Sequence, residues 1–261
     1  MRPVPVLMYH HVSPHKGDIV TVTPEVFEDQ MSHLSQSGYK TLTAEELLSL
    51  MKGELTLRQK AVVITFDDGW LDNYLYAFPV LKKYRLNAAI FIITNRIEMA
   101  SEKMTSLPDR IPTHNESKAL IEKGEAYKAA LNWELIGEMA GSGLVEFYSH
   151  TKSHRKCDTL SENELIEELG QSKQIMEKKL GRPCPYLCWP YGKYNQLAVS
   201  IAKEVGYRVL FTTDHGVVKA GSDPFAMKRI VVKDKSEWFR KRMFVYTNPV
   251  LSPLYLALKK K

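Results

Sequence analysis

Short runs of branched and aromatic apolar residues alternate along this chain with segments whose apolar residues recur every three or four positions. Val4-Pro5-Val6-Leu7-Met8-Tyr9 reads as a first strand. Thr23 and Pro24 then open a helix with Phe27, Met31 and Leu34 on one face and Gly38 as its stop. Thr43 and Glu46 have the spacing of a capping box for a second helix ending near Gly53. Residues 61–66 form a strand, and a helix follows through Tyr74, Phe78 and Leu81, where Pro79 predicts a kink. Further strands are predicted at 87–93, 144–149, 186–189, 209–212 and 229–232. Helices are predicted at 132–141, at 195–205, and from Ser161 to Gly181, the last carrying Leu165, Leu169 and Met176. Strand–helix alternation predicts an α/β fold with a mainly parallel sheet covered by helices. Seven or eight strands favour a closed barrel over an open sheet. Residues 96–130 are polar and long between two elements and read as an insertion or lid with some helix. The barrel domain is taken as residues 1–235, and 236–261 as a basic amphipathic C-terminal segment.

Polar residues collect where these strands end. His10 and His11 follow the first strand, Asp67 and Asp68 another, and Thr94 and Asn95 a third. His150, Tyr191, and the pair Asp214 and His215 follow others. The C-terminal rim of a parallel barrel is where such folds place their chemistry. Asp67-Asp68-Gly69 puts two carboxylates before a residue that allows a sharp turn. One could bind a metal while the other takes a proton from water. The same tripeptide also serves simply as a turn or cap. His150 and His154 are four apart, so a helical turn would put both rings on one face. Alone, such a pair is also compatible with a structural role. A carboxylate with two imidazoles is a common ligand set for a catalytic metal with an open position. His11, His15, His33, His114 and His215 have no such companions and read as ordinary histidines, with His215 the foremost exception.

Thirty-six Lys and Arg against 30 Asp and Glu give a net charge of +6. Ten of the basic residues lie from Lys228 onward, facing only Asp234 and Glu237 there. Interleaved with Trp238, Phe239, Phe244, Tyr246 and Tyr255, they could lie on an anionic membrane surface. The plainer reading is a solvated terminal helix whose apolar face packs on the domain. No nucleic-acid-binding motif accompanies the charge. Cys157, Cys184 and Cys188 are odd in number and read as buried free thiols. No apolar run has the roughly 18 residues of a transmembrane helix. Residues 1–12 lack the pattern of a signal peptide, so the expected location is cytoplasmic, or extracellular or periplasmic if a leader has been removed.

Together these residues resemble the polysaccharide deacetylase family, carbohydrate esterase family 4, with its NodB-type domain. Thr65-Phe66-Asp67-Asp68-Gly69 is similar to its first motif, and His150-Thr151-Lys152-Ser153-His154 to its second. Pro190-Tyr191-Gly192 looks like part of a third, although Trp189 stands just before it and the usual arginine is missing. Leu7-Met8-Tyr9-His10 resembles the family's last motif moved to the N-terminus, as in the permuted subgroup of poly-β-1,6-N-acetylglucosamine deacetylases. The resemblance spans about residues 4–232. It implies a distorted (β/α)7 barrel and a divalent metal, zinc first, with Ni2+, Co2+, Fe2+ or Mn2+ as alternatives. Asp67 would be the catalytic base; Asp68, His150 and His154 would be the metal ligands. His10 would be the general acid, and the Tyr191 backbone N–H an oxyanion donor. Arg229 would orient Asp67 in place of the missing arginine, or else form a plain surface ion pair, and Trp189 would lend support.

The activity implied is metal-dependent removal of N-acetyl groups from an N-acetylated glycan or glycolipid. Alternatives are hydrolysis of another C–N or ester bond and a catalytically silent carbohydrate-binding protein. The basic, aromatic end suits an enzyme that touches the inner membrane face peripherally. Sugar, linkage and oligomeric state are left open.

Overall fold

The computed structural model describes residues 2–258. Seven parallel strands form a closed ring: β1 Val4–Tyr9, β2 Ala61–Asp68, β3 Ala88–Ile92, β4 Val145–Ser149, β5 Tyr186–Cys188, β6 Val209–His215 and β7 Met227–Val231. Neighbours in chain order pair from β2 through to β7, and β1 pairs with both β7 and β2, which closes the barrel. Closure leaves no open sheet edge within the ring. The (β/α)7 barrel expected from sequence is therefore present. Lys40–Thr41 adds a short strand beside β2, and Val217–Val218 lies antiparallel to β1.

Strands buried on both faces explain their nearly continuous apolar runs. On the outer face Tyr9 packs on Phe27 and Phe66, with ring centroids 5.4 and 5.3 Å away. This seats α1 (Pro24–Gln36), and the Tyr9 hydroxyl donates to Gln30 Oε1 at 2.7 Å. Inward-facing residues follow from register: Thr65 aligns with Met8 and Ala89, Asp67 with Phe91, and Phe91 with Tyr148. Phe91 lies 4.8 Å from Phe211 and 6.2 Å from Tyr148 between ring centroids, filling the barrel below the polar rim. β2 and β6 run farther than their apolar runs suggest, to Asp68 and His215, because polar residues at the rim still pair with neighbouring strands.

Helices α2 (Ala44–Lys52), α3 (Phe78–Tyr84), α4 (Thr94–Lys103) and α6 (Trp133–Gly141) follow in chain order around α5 (His114–Glu122). After them come α7 (Glu162–Leu180), α8 (Gln196–Glu204), α9 (Ser236–Thr247) and α10 (Leu251–Leu258). Capping boxes open α2 at Thr43, α5 at Thr113 and α7 at Ser161. Thr23 precedes α1 but does not cap it through its side chain. Its hydroxyl donates instead to Asp234 at 2.8 Å, tying the start of α1 to the chain after β7. The irregularity expected at Pro79 lies before it, as a π-helical turn over Asn73–Ala77, and Pro79 sits in the first turn of α3, where a missing N–H costs little. Between β3 and β4 the chain forms α4, α5 and a short 3-10 turn at Ala126–Lys128. After β7, α9 buries Phe239, Met243 and Tyr246. Lys259, Lys260 and Lys261, part of the basic end noted in the sequence, lie outside the described residues.

Phe91→Ala should lower the unfolding free energy by about 3–5 kcal/mol, because the ring column inside a closed barrel cannot collapse to fill the gap. Chemical denaturation of the two proteins measures this.

Candidate active site

The site lies at the C-terminal rim of the barrel, in a cleft of about 540 Å³ lined by His10, Asp67, Asp68, His150, His154 and Tyr191 among others. Asp67, at the end of β2, is buried and faces inward. Arg229 of β7 reaches it from across β1 as a bidentate partner, with both nitrogen–oxygen distances 2.7 Å. Such a fork–fork pair fixes the plane of the carboxylate as well as its position. Arg229 is itself buried, so the alternative of a surface ion pair does not hold. Its Nε donates to the Thr212 carbonyl at 2.8 Å, and its NH1 also reaches Thr65 Oγ1 at 3.2 Å. Burial pushes the Asp67 carboxyl up, but the Arg229 charge and hydrogen bonds outweigh it and hold the group at about 2. The carboxylate is therefore ionised throughout the neutral range.

Asp68 turns the other way because its backbone is left-handed, with φ of 76°. Gly69 follows at φ 70°, and a Cβ there would stand 2.8 Å from Ile92 Cγ2. The Trp70 indole donates to Asp68 Oδ2 at 3.0 Å. Oδ1 is buried without a hydrogen-bond partner among the described residues. It faces His154 Nε2 at 3.2 Å and His150 Nε2 at 3.5 Å. His150 Nδ1 lies 2.8 Å from the Cys188 carbonyl, an acceptor, so Nδ1 carries the proton and Nε2 of the neutral ring is a lone pair. Burial lowers the affinity of both imidazoles for a second proton, with His154 near 3. A carboxylate oxygen and two imidazole nitrogens thus converge on one point. That arrangement fits a divalent cation, and the carbonyl bonded to His150 supplies the outer-shell contact that orients a ligating ring.

His150 and His154 meet, but not on a helix. Thr151 and His154 adopt φ of 67° and 63°, and the segment is an irregular loop. Glu168 of α7 holds that shape, accepting from Thr151 Oγ1 at 2.8 Å, Ser153 N at 2.6 Å and Ser153 Oγ at 2.7 Å. The expected helical turn gives way because these buried hydrogen bonds offset the left-handed strain. Sequence reasoning missed Glu168. The available signal was a carboxylate on the buried stripe Leu165, Leu169 and Met176 of an otherwise regular amphipathic helix.

His10 follows β1 with its Nε2 3.9 Å from Asp67 Oδ2. Tyr191 sits in a 3-10 turn at Pro190–Gly192 with φ of 57°, and its ring lies 4.5 Å from that of His154. Gly192 allows this turn to press on β6: a Cβ would fall 2.0 Å from Thr213 Oγ1. Trp189 is buried, stacks on Tyr194 at 5.3 Å, and lines the cleft. All eight residues singled out from the sequence therefore lie in or directly behind one cleft.

Two groups were passed over. Arg96, in the first turn of α4, stacks on Trp70 at 4.4 Å and donates to the Asp68 carbonyl at 3.3 Å. His11 and His114, read as ordinary, belong to a buried array beside Trp70. Their partners are distant in sequence, so no local spacing marks them. The three cysteines are free and buried, as expected, and Cys188 Sγ sits 3.0 Å from Arg229 NH2.

With this geometry in view, the sequence profile of the polysaccharide deacetylase family matches residues 54–210. The chain belongs to that family. It is 30% identical over 229 residues to YxkH of Bacillus subtilis, which carries a provisional polysaccharide deacetylase name, covering 88% of this chain and 71% of that protein. It is 27% identical over 224 residues to a Staphylococcus aureus poly-β-1,6-N-acetyl-D-glucosamine N-deacetylase, covering 82% and 68%. Of the Escherichia coli protein of that same name the matched region makes up only 34%. The Streptococcus pyogenes deacetylase PplD, solved in complex with acetate, superposes with a TM-score of 0.77 at 26% identity over 95% of this chain and 99% of that one.

His154→Ala should weaken zinc binding by about 100-fold or more, exceeding the 10–100-fold that loss of an outer-shell partner costs. Isothermal titration of metal-stripped protein measures this, and unchanged affinity would remove His154 from the ligand set.

Proposed function

We propose that this chain is a metal-dependent N-deacetylase acting on N-acetylglucosamine units of a glycan. One observation carries the reading: the orphaned Asp68 oxygen facing two imidazole nitrogens, beside the separately held carboxylate Asp67. Asp68, His150 and His154 would hold a divalent ion, zinc first among the candidates. When bound, such an ion acidifies water to a pKa near 7 and polarises an acyl oxygen.

The remaining roles fall to groups of the chain itself. Asp67 accepts a proton from the attacking water, and Arg229 keeps its carboxylate ionised and aimed. The same pairing weakens Asp67 as a base, so it works only on water already made acidic. The Tyr191 N–H donates to the oxygen that becomes negative as the carbonyl is attacked. His10, on the Asp67 side of the cleft, gives a proton to the leaving amine. The names of the S. aureus and E. coli relatives support a β-1,6-linked N-acetylglucosamine polymer as the first substrate to test. A glycolipid presents the same acetamide.

Asp67→Asn should retain zinc at near-wild-type affinity while acetate release from N-acetylglucosamine oligomers falls about 10²–10⁴-fold. Acetate release close to that of the parent would show that Asp67 is not the base.

We further propose peripheral contact with an anionic lipid surface, at the inner face of a membrane, through α9 and α10. Among the described residues no helix is long and apolar enough to cross a membrane. Phe244, Val250, Leu251, Leu254 and Leu258 are nevertheless exposed, and α10 contains no charged residue. Arg240, Lys241 and Arg242 precede α10, paired with Asp29, paired with Glu237 and stacked on Tyr255 respectively, and three lysines follow it in the sequence. An apolar stripe with basic flanks is the pattern of an interfacial helix. Co-sedimentation with phosphatidylglycerol vesicles should fall several-fold on Leu254→Glu and be weak with phosphatidylcholine alone. Equal binding by both proteins would refute the contact.

A further inference from the structure

A chain of short hydrogen bonds runs from a buried carboxylate to the wall of the cleft. Asp72 Oδ2 lies 2.6 Å from His11 Nδ1, and His11 Nε2 lies 3.0 Å from His114 Nδ1. Asp72 and His11 are almost fully buried, and His11 stacks on Trp70 with centroids 4.4 Å apart. Asn73 donates to Asp72 Oδ1 at 2.9 Å and to the His10 carbonyl at 2.8 Å, tying the array to the strand end that carries His10. His114 opens α5 behind the Thr113 capping box, and it lines the cleft together with Lys118, Ile121 and Glu122 of that helix. The segment before α5 is pinned from the other side, where His15 Nε2 meets the Ile111 carbonyl at 2.8 Å.

One proton position follows from the buried end of the array. A carboxylate only accepts, so His11 Nδ1 donates to Asp72. His11 Nε2 and His114 Nδ1 share one hydrogen bond at 3.0 Å, which holds the His114 ring in place. Burial lowers the His114 imidazole to about 4, so this ring is neutral. Its Nε2 lies on the opposite side of a ring that Nδ1 anchors.

Building on the deacetylase reading above, we propose that Asp72 and His11 are positioning residues that fix the ring of His114, whose Nε2 hydrogen-bonds a hydroxyl of the sugar held in the cleft. The array would thus make α5, which lies between β3 and β4, a specificity-determining wall of the site. No deacetylation step passes through it. His114 contributes binding, and the reacting groups remain those on the barrel rim.

The test uses full-length, zinc-loaded protein with a β-1,6-linked N-acetylglucosamine pentamer. Binding is read by calorimetry, separately from acetate release. His114→Phe keeps a ring on α5 without a hydrogen-bonding nitrogen, and should weaken pentamer binding about three- to tenfold, the worth of one neutral hydrogen bond. KM should rise by a similar factor while kcat changes less. His114→Gln, whose amide can donate or accept, should recover part of the loss. Asp72→Asn, which disturbs the anchoring of the ring without touching the cleft, should move KM in the same direction as His114→Phe. Weaker binding by His114→Phe in a wild-type background that releases no acetate would support the array and overturn the deacetylase reading. Unchanged pentamer affinity in His114→Phe, or no pentamer binding by the wild type, would overturn the array.

Discussion

The buried ion pair between Asp67 and Arg229 is the constraint around which the rest of the rim is arranged. Two charges removed from water destabilise a fold unless their geometry is good and their remaining hydrogen-bonding capacity is met. Here both carboxylate oxygens are matched by guanidinium nitrogens, and the remaining Nε finds a strand carbonyl. The pair joins β2 to β7 across β1, so it depends on barrel closure. The aromatic column of Phe91, Phe211 and Tyr148 beneath it separates the pair from the far end of the barrel.

The same pair divides labour between two adjacent aspartates. Asp67 has its oxygens committed to a fixed cation from the protein. Asp68, whose backbone is left-handed, keeps one oxygen uncommitted among imidazoles. A single residue step in the chain thus separates a carboxylate paired with Arg229 from one that keeps an orphaned oxygen. Trp70 and Arg96 secure Asp68 from behind without occupying that oxygen.

Much of this was legible in the linear sequence, for definite reasons. Continuous apolar runs at regular separations mark strands buried on both faces, and a polar residue just after each run marks a common rim. The Asp-Asp-Gly and His-x3-His clusters carried their chemistry in a local spacing. Arg229 could be guessed only as a charge on a strand, because its pairing with Asp67 spans 162 positions. The Asp72–His11–His114 array was invisible for the same reason: its contacts exist only after β1 and α5 are brought together. The shape of the His150–His154 loop was misjudged, since four-residue spacing suggests a helix while Glu168, on a distant helix, dictates otherwise.

That loop has a kinetic consequence. Its left-handed residues are held by hydrogen bonds to α7, so the two imidazoles are already in place before any ligand arrives. Capture of a cation there would require little ordering of the chain, the entropic cost having been met in folding. Its escape would be coupled to opening of residues 150–154 away from Glu168. The residence time of a bound ion would then depend on one carboxylate on a helix that never touches it.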